Sequence, residues 1–208
     1  AAANGCSEMA GALVTGIVTL AFNWMMLKAA GEEGVAAVTI IMYVLMFASS
    51  LYTGYSYGVA PMLSFYHGEQ NREKLKKLVA LSRKVIGVVS VITVAVSLGL
   101  TEPLVAVFAR PEDPVYALAV TGNRICTIAL LFIGFNIFAS GMFTALSNGV
   151  VSAVLAFSRS FVFMLAAMIV LPLLFGVNGI WLATPAAELM ALALSAFMLR
   201  KYKKRYEY

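Results

Sequence analysis

The chain has 208 residues and a mean hydropathy of +0.90, and 62% of its residues are hydrophobic. Charged residues make up only 12%, against roughly 25% in soluble domains, which excludes an ordinary soluble protein. The net charge of +5 comes largely from cations beside apolar runs, so we interpret it as a sign of membrane topology and expect no nucleic-acid partner.

Six membrane-spanning helices are predicted from runs that lack charged residues. A helix needs roughly 17 to 25 residues to cross the core of a bilayer, and the runs are near or above that length. The run 160–187 is too long for one helix and is interrupted at Pro172, Gly176 and Gly179, so we divide it between two spans. The predicted fold is an all-α integral membrane bundle with spans at 6–28, 35–66, 83–101, 117–146, 150–174 and 178–200.

Polar side chains at helical spacing follow one face of the first, second and fourth spans. Such a face either bonds helices together or lines a cavity. Three spans with this feature favour a cavity, and the aromatic residues, 12% of the chain, suit cation–π contacts. The candidate residues of this substrate cavity are Thr15, Thr19, Asn23, Tyr43, Ser50, Tyr57 and Ser140.

Two carboxylates lie within the spans, where charge is costly and commonly functional. Glu8 is near one end of its helix, where it either stabilises the first turn through the helix dipole or, if desolvated, exchanges a proton for a cation. Glu188 lies near mid-depth. Arg124 enters from the same side of the membrane to a similar depth, so we predict a structural ion pair between Arg124 and Glu188.

The stretch GYSYG at 54–58 matches the G-x-S-x-G motif that positions a nucleophilic serine in many hydrolases. That motif needs a strand before the serine and a histidine beside it. Here the only histidine, His67, lies eleven residues beyond Ser56 in the same apolar run, about 16 Å of helical rise, so we do not expect an enzyme. Small residues permit close helix packing, and proline breaks a backbone hydrogen bond. A bend in the second span is therefore predicted at Gly54, Gly58 and Pro61.

Lys and Arg are concentrated on one side of this topology, which predicts that both termini are cytoplasmic. The segment 67–84 is predicted to be a basic cytoplasmic loop and 200–208 a basic cytoplasmic tail. Cys6 and Cys126 have the spacing of neither a disulfide framework nor a metal site, so we predict no metal and no cofactor. Because the chain begins with Ala, we expect it to be a C-terminal piece of a longer protein.

Several stretches together resemble one family, the multidrug and toxic compound extrusion (MATE) transporters, and most of all the C-terminal lobe of its firmicute-type branch. They include NGCSEMAGALVTGIVTLAFN, GEEGVAAVTIIMYVLMF, GYSYGVAPMLSFYHGEQNREKLKKL and SRSFVFMLAAMIVLPLLFGVNGIWLATPAAE, and with the rest they cover nearly the whole chain in order. The resemblance implies a twelve-helix protein of two six-helix lobes, with the N-terminal lobe absent from this chain.

The family resemblance also implies a function, the export of organic cations across the cell membrane in exchange for Na⁺ or H⁺. It places the ion-coupling carboxylate at Glu8. In the fourth span, where other branches carry an acidic partner, the nearest polar residue is Asn136. Two alternatives stay open. One is a lipid-linked saccharide flippase of the same superfamily, although such cavities are rich in basic residues and the spans here hold only Arg124 and Arg159. The other is a membrane subunit without transport activity.

Overall fold

The computed structural model describes the backbone of residues 2–206 and 208 and the side chains of 13–206 and 208. Its first helix, α1 (Ala2–Gly68), is interrupted where Ala30 has φ −142° and Gly31 has φ 65°. A positive φ at this point suits glycine, which has no Cβ to clash. A methyl group at Gly34 would lie 2.9 Å from the Met26 carbonyl oxygen, although eight residues of straight helix span about 12 Å. The two halves of α1, residues 2–29 and 32–68, therefore fold back on each other.

The remaining elements are also helical. They are α2 (Arg72–Gly99), α3 (Thr101–Ala106), α4 (Pro114–Cys126), a 3₁₀ turn (Thr127–Ala129), α5 (Leu130–Ala145), α6 (Gly149–Phe157), a π turn (Ser158–Phe163), α7 (Met164–Phe175) and α8 (Val177–Tyr206). The helices α4 and α5 join into one membrane pass through the 3₁₀ turn, and α6 and α7 join into another through the π turn. Gly176, with φ 57°, ends α7 and leads into α8.

Length and hydropathy give five helices able to cross a membrane within the described part of the chain, and the first of these, Leu13–Gly68, has 56 residues. Because the break at Ala30 and Gly31 divides this helix, the chain makes six passes. The predicted all-α membrane bundle is confirmed.

The predicted loop at 67–84 is wrong for most of its length, because α2 begins at Arg72. Asn71 caps this helix, and its side-chain oxygen accepts a hydrogen bond from the Lys74 N–H at 3.2 Å. Leu75, Leu78 and other apolar side chains on one face are buried, while the cations of the same turns are exposed. The first turns of α2 are amphipathic and carry charges, so a search for runs without charged residues did not include them.

Two buried clusters hold the passes together. The first surrounds Trp181 of α8, which is 1% exposed and packs against α1 and α4. A methyl group at Gly122 would lie 2.8 Å from its ring, so the glycine allows this close approach. The second cluster surrounds Phe143 of α5 and includes Leu63 of α1 and Leu75 of α2. On the outside, large apolar side chains such as Leu173 stay exposed, as lipid-facing residues do.

Candidate functional site

A buried polar network connects α5, α8 and the π turn. The Asn136 Nδ2 donates to the Glu188 side-chain oxygen Oε2 at 2.8 Å and to the Glu188 backbone carbonyl at 2.9 Å. The other Glu188 oxygen, Oε1, accepts from the Arg159 Nη1 at 2.9 Å. The Ser195 hydroxyl donates to the Asn136 Oδ1 at 3.1 Å. We call these four residues, Asn136, Arg159, Glu188 and Ser195, the buried network.

The local helix geometry explains how these side chains meet. Glu188 and Ser195 lie seven residues apart on α8, two turns on one helical face. One turn before Glu188, Pro185 has no N–H for the Trp181 carbonyl, and the Cys126 thiol donates to that carbonyl at 3.3 Å. Arg159 belongs to the π turn, a widened turn that is frequent at functional sites.

The buried network is electrically balanced, and each side-chain oxygen of Glu188 and Asn136 accepts a hydrogen bond. Glu188 is 5% exposed and Asn136 is 2% exposed, so an unpaired carboxylate here would be costly. The Arg159 cation and the Asn136 amide together occupy both carboxylate oxygens. The network therefore ties three passes together in the structure as it stands.

The predicted Arg124–Glu188 ion pair is wrong. Arg124 Nη2 instead contacts Glu102 Oε1 at 2.9 Å, with the side chains 56% and 62% exposed. Depth counted along the sequence suggested the pairing, but Glu102 stands at the start of α3, close to Arg124 of α4. Glu188 is instead paired with Arg159 of the predicted fifth span.

The seven predicted cavity residues do not converge on one cavity within the described chain. Thr15, Ser50 and Tyr57 are exposed, and Thr19 and Asn23 are half-buried. Ser140 contacts the Ser152 hydroxyl at 2.9 Å and so bonds α5 to α6. Tyr43 alone of the seven lines a groove described next.

An apolar groove of about 790 Å³ lies between the second half of α1, α2 and the segment around α3. Its wall includes Tyr43, Phe47, Leu51, Val96, Leu104 and Phe108, and we call it the lateral groove. The rings of Tyr43 and Phe108 stack at one end, with centroids 6.3 Å apart and planes 8° apart. Sequence reasoning did not find this groove, because its wall combines helices far apart in the chain.

The serine motif packs helices together. Ser56 is 4% exposed and lies against Gly141 of α5, where a side chain would clash with its hydroxyl. His67 contacts the Tyr206 ring with centroids 5.6 Å apart, and it stays on the same helix eleven residues from Ser56. At Gly54 and Gly58 an added methyl group would meet no atom within 4 Å, so these two glycines do not pack against another helix here.

The helix runs through Gly54, Gly58 and Pro61 without a break, since the non-helical angles of α1 lie at Ala30 and Gly31. A bend that changes between conformations stays a prediction. The side chains of Glu8 and Cys6 lie outside the described residues. Sequence reasoning missed Arg159 and Ser195 as partners of Asn136 and Glu188, although the seven-residue spacing of Glu188 and Ser195 was a usable signal.

Solved structures share this fold. An outward-facing multidrug resistance MATE family transporter of the MOP superfamily matches with a TM-score of 0.86 at 20% identity, over 94% of this chain and 44% of that one. A MOP superfamily transporter from Pyrococcus furiosus, whose binding pocket of reverse polarity is described as suggesting a different function, matches at 0.86 and 19% identity, over 94% and 44%. The bent form of the Vibrio cholerae MATE transporter VcmN matches at 0.85 and 17% identity, over 97% and 44%.

The chain thus spans less than half the length of these transporters. No curated protein matches it. The family model described as MatE matches residues 9–170, more than half of the chain. The sequence match and the shared membrane fold agree, and the chain belongs to the MatE family of membrane transporters.

Proposed function

We propose that this chain is the C-terminal lobe of a secondary antiporter that exports organic cations in exchange for Na⁺ or H⁺. The observation that carries the proposal is the MatE match over residues 9–170, together with a fold that covers 94% of this chain but 44% of the transporter matched. A half-length match of six passes fits a protein built from two lobes. The N-terminal lobe would then complete the transport path.

The residues exposed on this lobe support a cavity shared with another lobe. Thr15, Ser50 and Tyr57 belong to the predicted polar faces and are exposed, and Tyr57 is 74% exposed. Polar side chains that face lipid find no hydrogen-bond partner there, whereas side chains that face a cavity can bind water and solute. We assign these three residues to the substrate path between the lobes, and we leave out Tyr43, which lines the lateral groove.

Glu8 is the proposed coupling carboxylate. Exchange requires that the ion and the organic cation favour opposite-facing conformations, so that binding of one promotes release of the other. A carboxylate at Glu8 can hold Na⁺ or a proton in one of these conformations. Asn136 is the proposed second coupling residue. To bind the ion, its Oδ1 would release the Ser195 hydroxyl and contact the ion instead.

We also propose that the protein lies in the cell membrane with both termini in the cytoplasm. The basic residues of α2's first turns and of the tail after Leu199 would then face the cytoplasm. Cysteines introduced at Lys203 and Glu112, in a background without Cys6 and Cys126, test this. A membrane-impermeant maleimide applied outside intact cells should label position 112 and leave 203 unlabelled, and the reverse result rejects this orientation.

The transport proposal is tested with the full-length transporter that contains this chain, reconstituted in vesicles. An imposed Na⁺ or H⁺ gradient should drive efflux of a fluorescent organic cation. The change Glu8→Gln should abolish gradient-driven efflux while thermal stability is unchanged, and Glu69→Gln, an exposed carboxylate in the turn after α1, serves as control. Full activity of Glu8→Gln rejects the coupling role, and no efflux under either gradient rejects the antiport.

A further inference from the structure

The lateral groove lies on helices of membrane-spanning length. Its walls come from the second half of α1 and from α2, both of which are long and apolar enough to cross a membrane. Its large side chains remain open to the surroundings, with Phe47 and Val107 each 76% exposed. In a bilayer, an apolar recess of this kind is filled by hydrocarbon rather than by water.

The size of the groove fits one acyl chain. At about 30 Å³ per methylene, close to the volume of a liquid water molecule, a chain of 16 to 18 carbons needs roughly 500 Å³. The groove offers about 790 Å³, which is enough for one chain. The second chain of a phospholipid would remain in the bilayer.

Charged groups follow directly after the stacked end of the groove. Arg110 lies two residues beyond Phe108, it is exposed, and its guanidinium makes no hydrogen bond or ion pair with another described residue. Asp113 lies beside it, because the Asp113 Oδ2 accepts from the Arg110 backbone N–H at 3.0 Å. Glu112 is exposed on the same turn. The neighbouring cation, Arg124, is already paired with Glu102.

One cation beside two carboxylates matches a headgroup that carries both signs of charge. A phosphate can accept charge-assisted hydrogen bonds from Arg110, and a primary ammonium can donate to Glu112 and Asp113. An anionic headgroup such as that of phosphatidylglycerol would meet two like charges for each opposite one. The charge pattern therefore favours a zwitterionic lipid over an anionic one.

We propose that the lateral groove binds one phosphatidylethanolamine-type phospholipid, with an acyl chain in the groove, its phosphate on Arg110 and its ammonium on Glu112 and Asp113. The apolar chain gains little by leaving a bilayer that is as apolar as the groove, so selectivity must come from the headgroup. The proposal is independent of antiport and needs only insertion of the protein in a membrane.

Brominated lipids, which quench tryptophan fluorescence on contact, test this binding in vesicles. The change Phe108→Trp places a reporter in the groove, in a Trp24→Phe background where the remaining Trp181 is 1% exposed. Leu173→Trp on α7, which replaces a residue 82% exposed, reports on ordinary lipid contact. Brominated phosphatidylethanolamine and phosphatidylglycerol are compared at each reporter, with full-length protein carrying this lobe.

We expect phosphatidylethanolamine to bind about two- to fivefold more tightly than phosphatidylglycerol at the groove reporter, the range of exposed charge contacts, and equally at the α7 reporter. The double change Glu112→Gln and Asp113→Asn should remove the preference. Arg110→Ala should weaken the binding of both lipids, because both carry a phosphate, whereas Arg83→Ala, at an exposed arginine on α2, should change neither the affinity nor the preference. Val96→Phe should narrow the groove and reduce quenching by either lipid.

Three results would overturn the proposal. They are equal affinities of the two lipids at the groove reporter, a preference that survives the double change Glu112→Gln and Asp113→Asn, and displacement of the brominated lipid by the organic cation tetraphenylphosphonium. The last result would make the groove a substrate site. A fourth such result is the absence of quenching at the groove reporter with normal quenching at the α7 reporter, because another part of the protein would then cover the groove.

Discussion

The chain contains two arginine–glutamate pairs with the same separation and very different surroundings. Arg159–Glu188 and Arg124–Glu102 both have an N–O distance of 2.9 Å. The side chains of the first pair are 26% and 7% exposed, and those of the second are 56% and 62% exposed. Distance alone therefore says little about what each pair contributes, because water and ions screen the second pair.

The two pairs also differ in what else their carboxylates contact. Glu188 holds Asn136 through its side chain and its backbone carbonyl, and Asn136 in turn accepts from Ser195. Glu102 contacts Arg124 through its side chain, at the edge of the bundle. A change in the buried network should propagate to three passes, whereas a change at the exposed pair should remain local.

The largest loss of folding stability is expected from Glu188→Leu. The change leaves Arg159 without a counter-ion and removes one of the two acceptors of the Asn136 amide. Breaking one side of a buried pair costs about 3 to 5 kcal/mol. Arg159 can turn partly towards its surroundings, so we expect the lower end, about 3 kcal/mol. Equilibrium unfolding in detergent, followed by circular dichroism, measures the loss. A cost equal to that of Glu102→Leu would mean that the two pairs do not differ.

A smaller loss is expected from Asn136→Leu. This change keeps the Arg159–Glu188 pair but removes the amide that donates to Glu188 and accepts from Ser195. Buried groups left without partners cost about 1 to 3 kcal/mol, and hydrogen bonds to charged groups lie in the upper part of that range. We expect about 2 kcal/mol by the same unfolding measurement.

The control for Asn136→Leu is Thr144→Val on the same helix. Thr144 is exposed and bonds to the Ser152 hydroxyl at 2.7 Å. If the two changes cost the same, Asn136 is no more important to the fold than a surface contact between α5 and α6. A cost for Asn136→Leu that disappears in the Glu188→Leu background would show that the amide acts through the carboxylate.

Much of the fold followed from the sequence because a bilayer constrains helices strongly. Charge-free runs set the six passes, and the fold-back between the first two coincides with Gly31. The start of α2 at Arg72 did not follow, since its amphipathic first turns lie outside the apolar run. A bilayer dictates apolar length, and it does not dictate where a helix ends beyond the membrane.

Only part of the candidate site could be predicted from the sequence. Asn136 and Glu188 were both singled out as polar residues at membrane depth, but the partner of Glu188 was misassigned to Arg124. Depth along a span can be counted from sequence, whereas the neighbour that a side chain faces depends on helix packing and rotation. The π turn at Ser158–Phe163 shifts that rotation at Arg159, and no simple periodicity predicts such a turn.

A still smaller loss of folding stability is expected from Ser195→Ala. Ser195 is 3% exposed, and its hydroxyl donates one neutral hydrogen bond to Asn136 at 3.1 Å. The net contribution of such a bond is about 1 kcal/mol. Ser49→Ala, at a half-buried serine of α1 that is not part of the buried network, is the matched control and should cost less. Equal costs would place Ser195 outside the energetics of the buried network.

The smallest loss of folding stability is expected from Glu102→Gln, and the way this loss changes with salt concentration is informative. An exposed pair contributes about 0.2 to 1 kcal/mol, and ions screen it when the Debye length falls from about 10 Å at 0.1 M salt to about 3 Å at 1 M. The difference between Glu102→Gln and the unmodified protein should therefore shrink towards zero in 1 M salt. Glu188→Gln should keep its larger cost at both concentrations, because ions cannot enter a site where Glu188 is 5% exposed. Parallel salt responses of the two variants would mean that solvent reaches Glu188, and the separation between a buried network and an exposed pair would then fail.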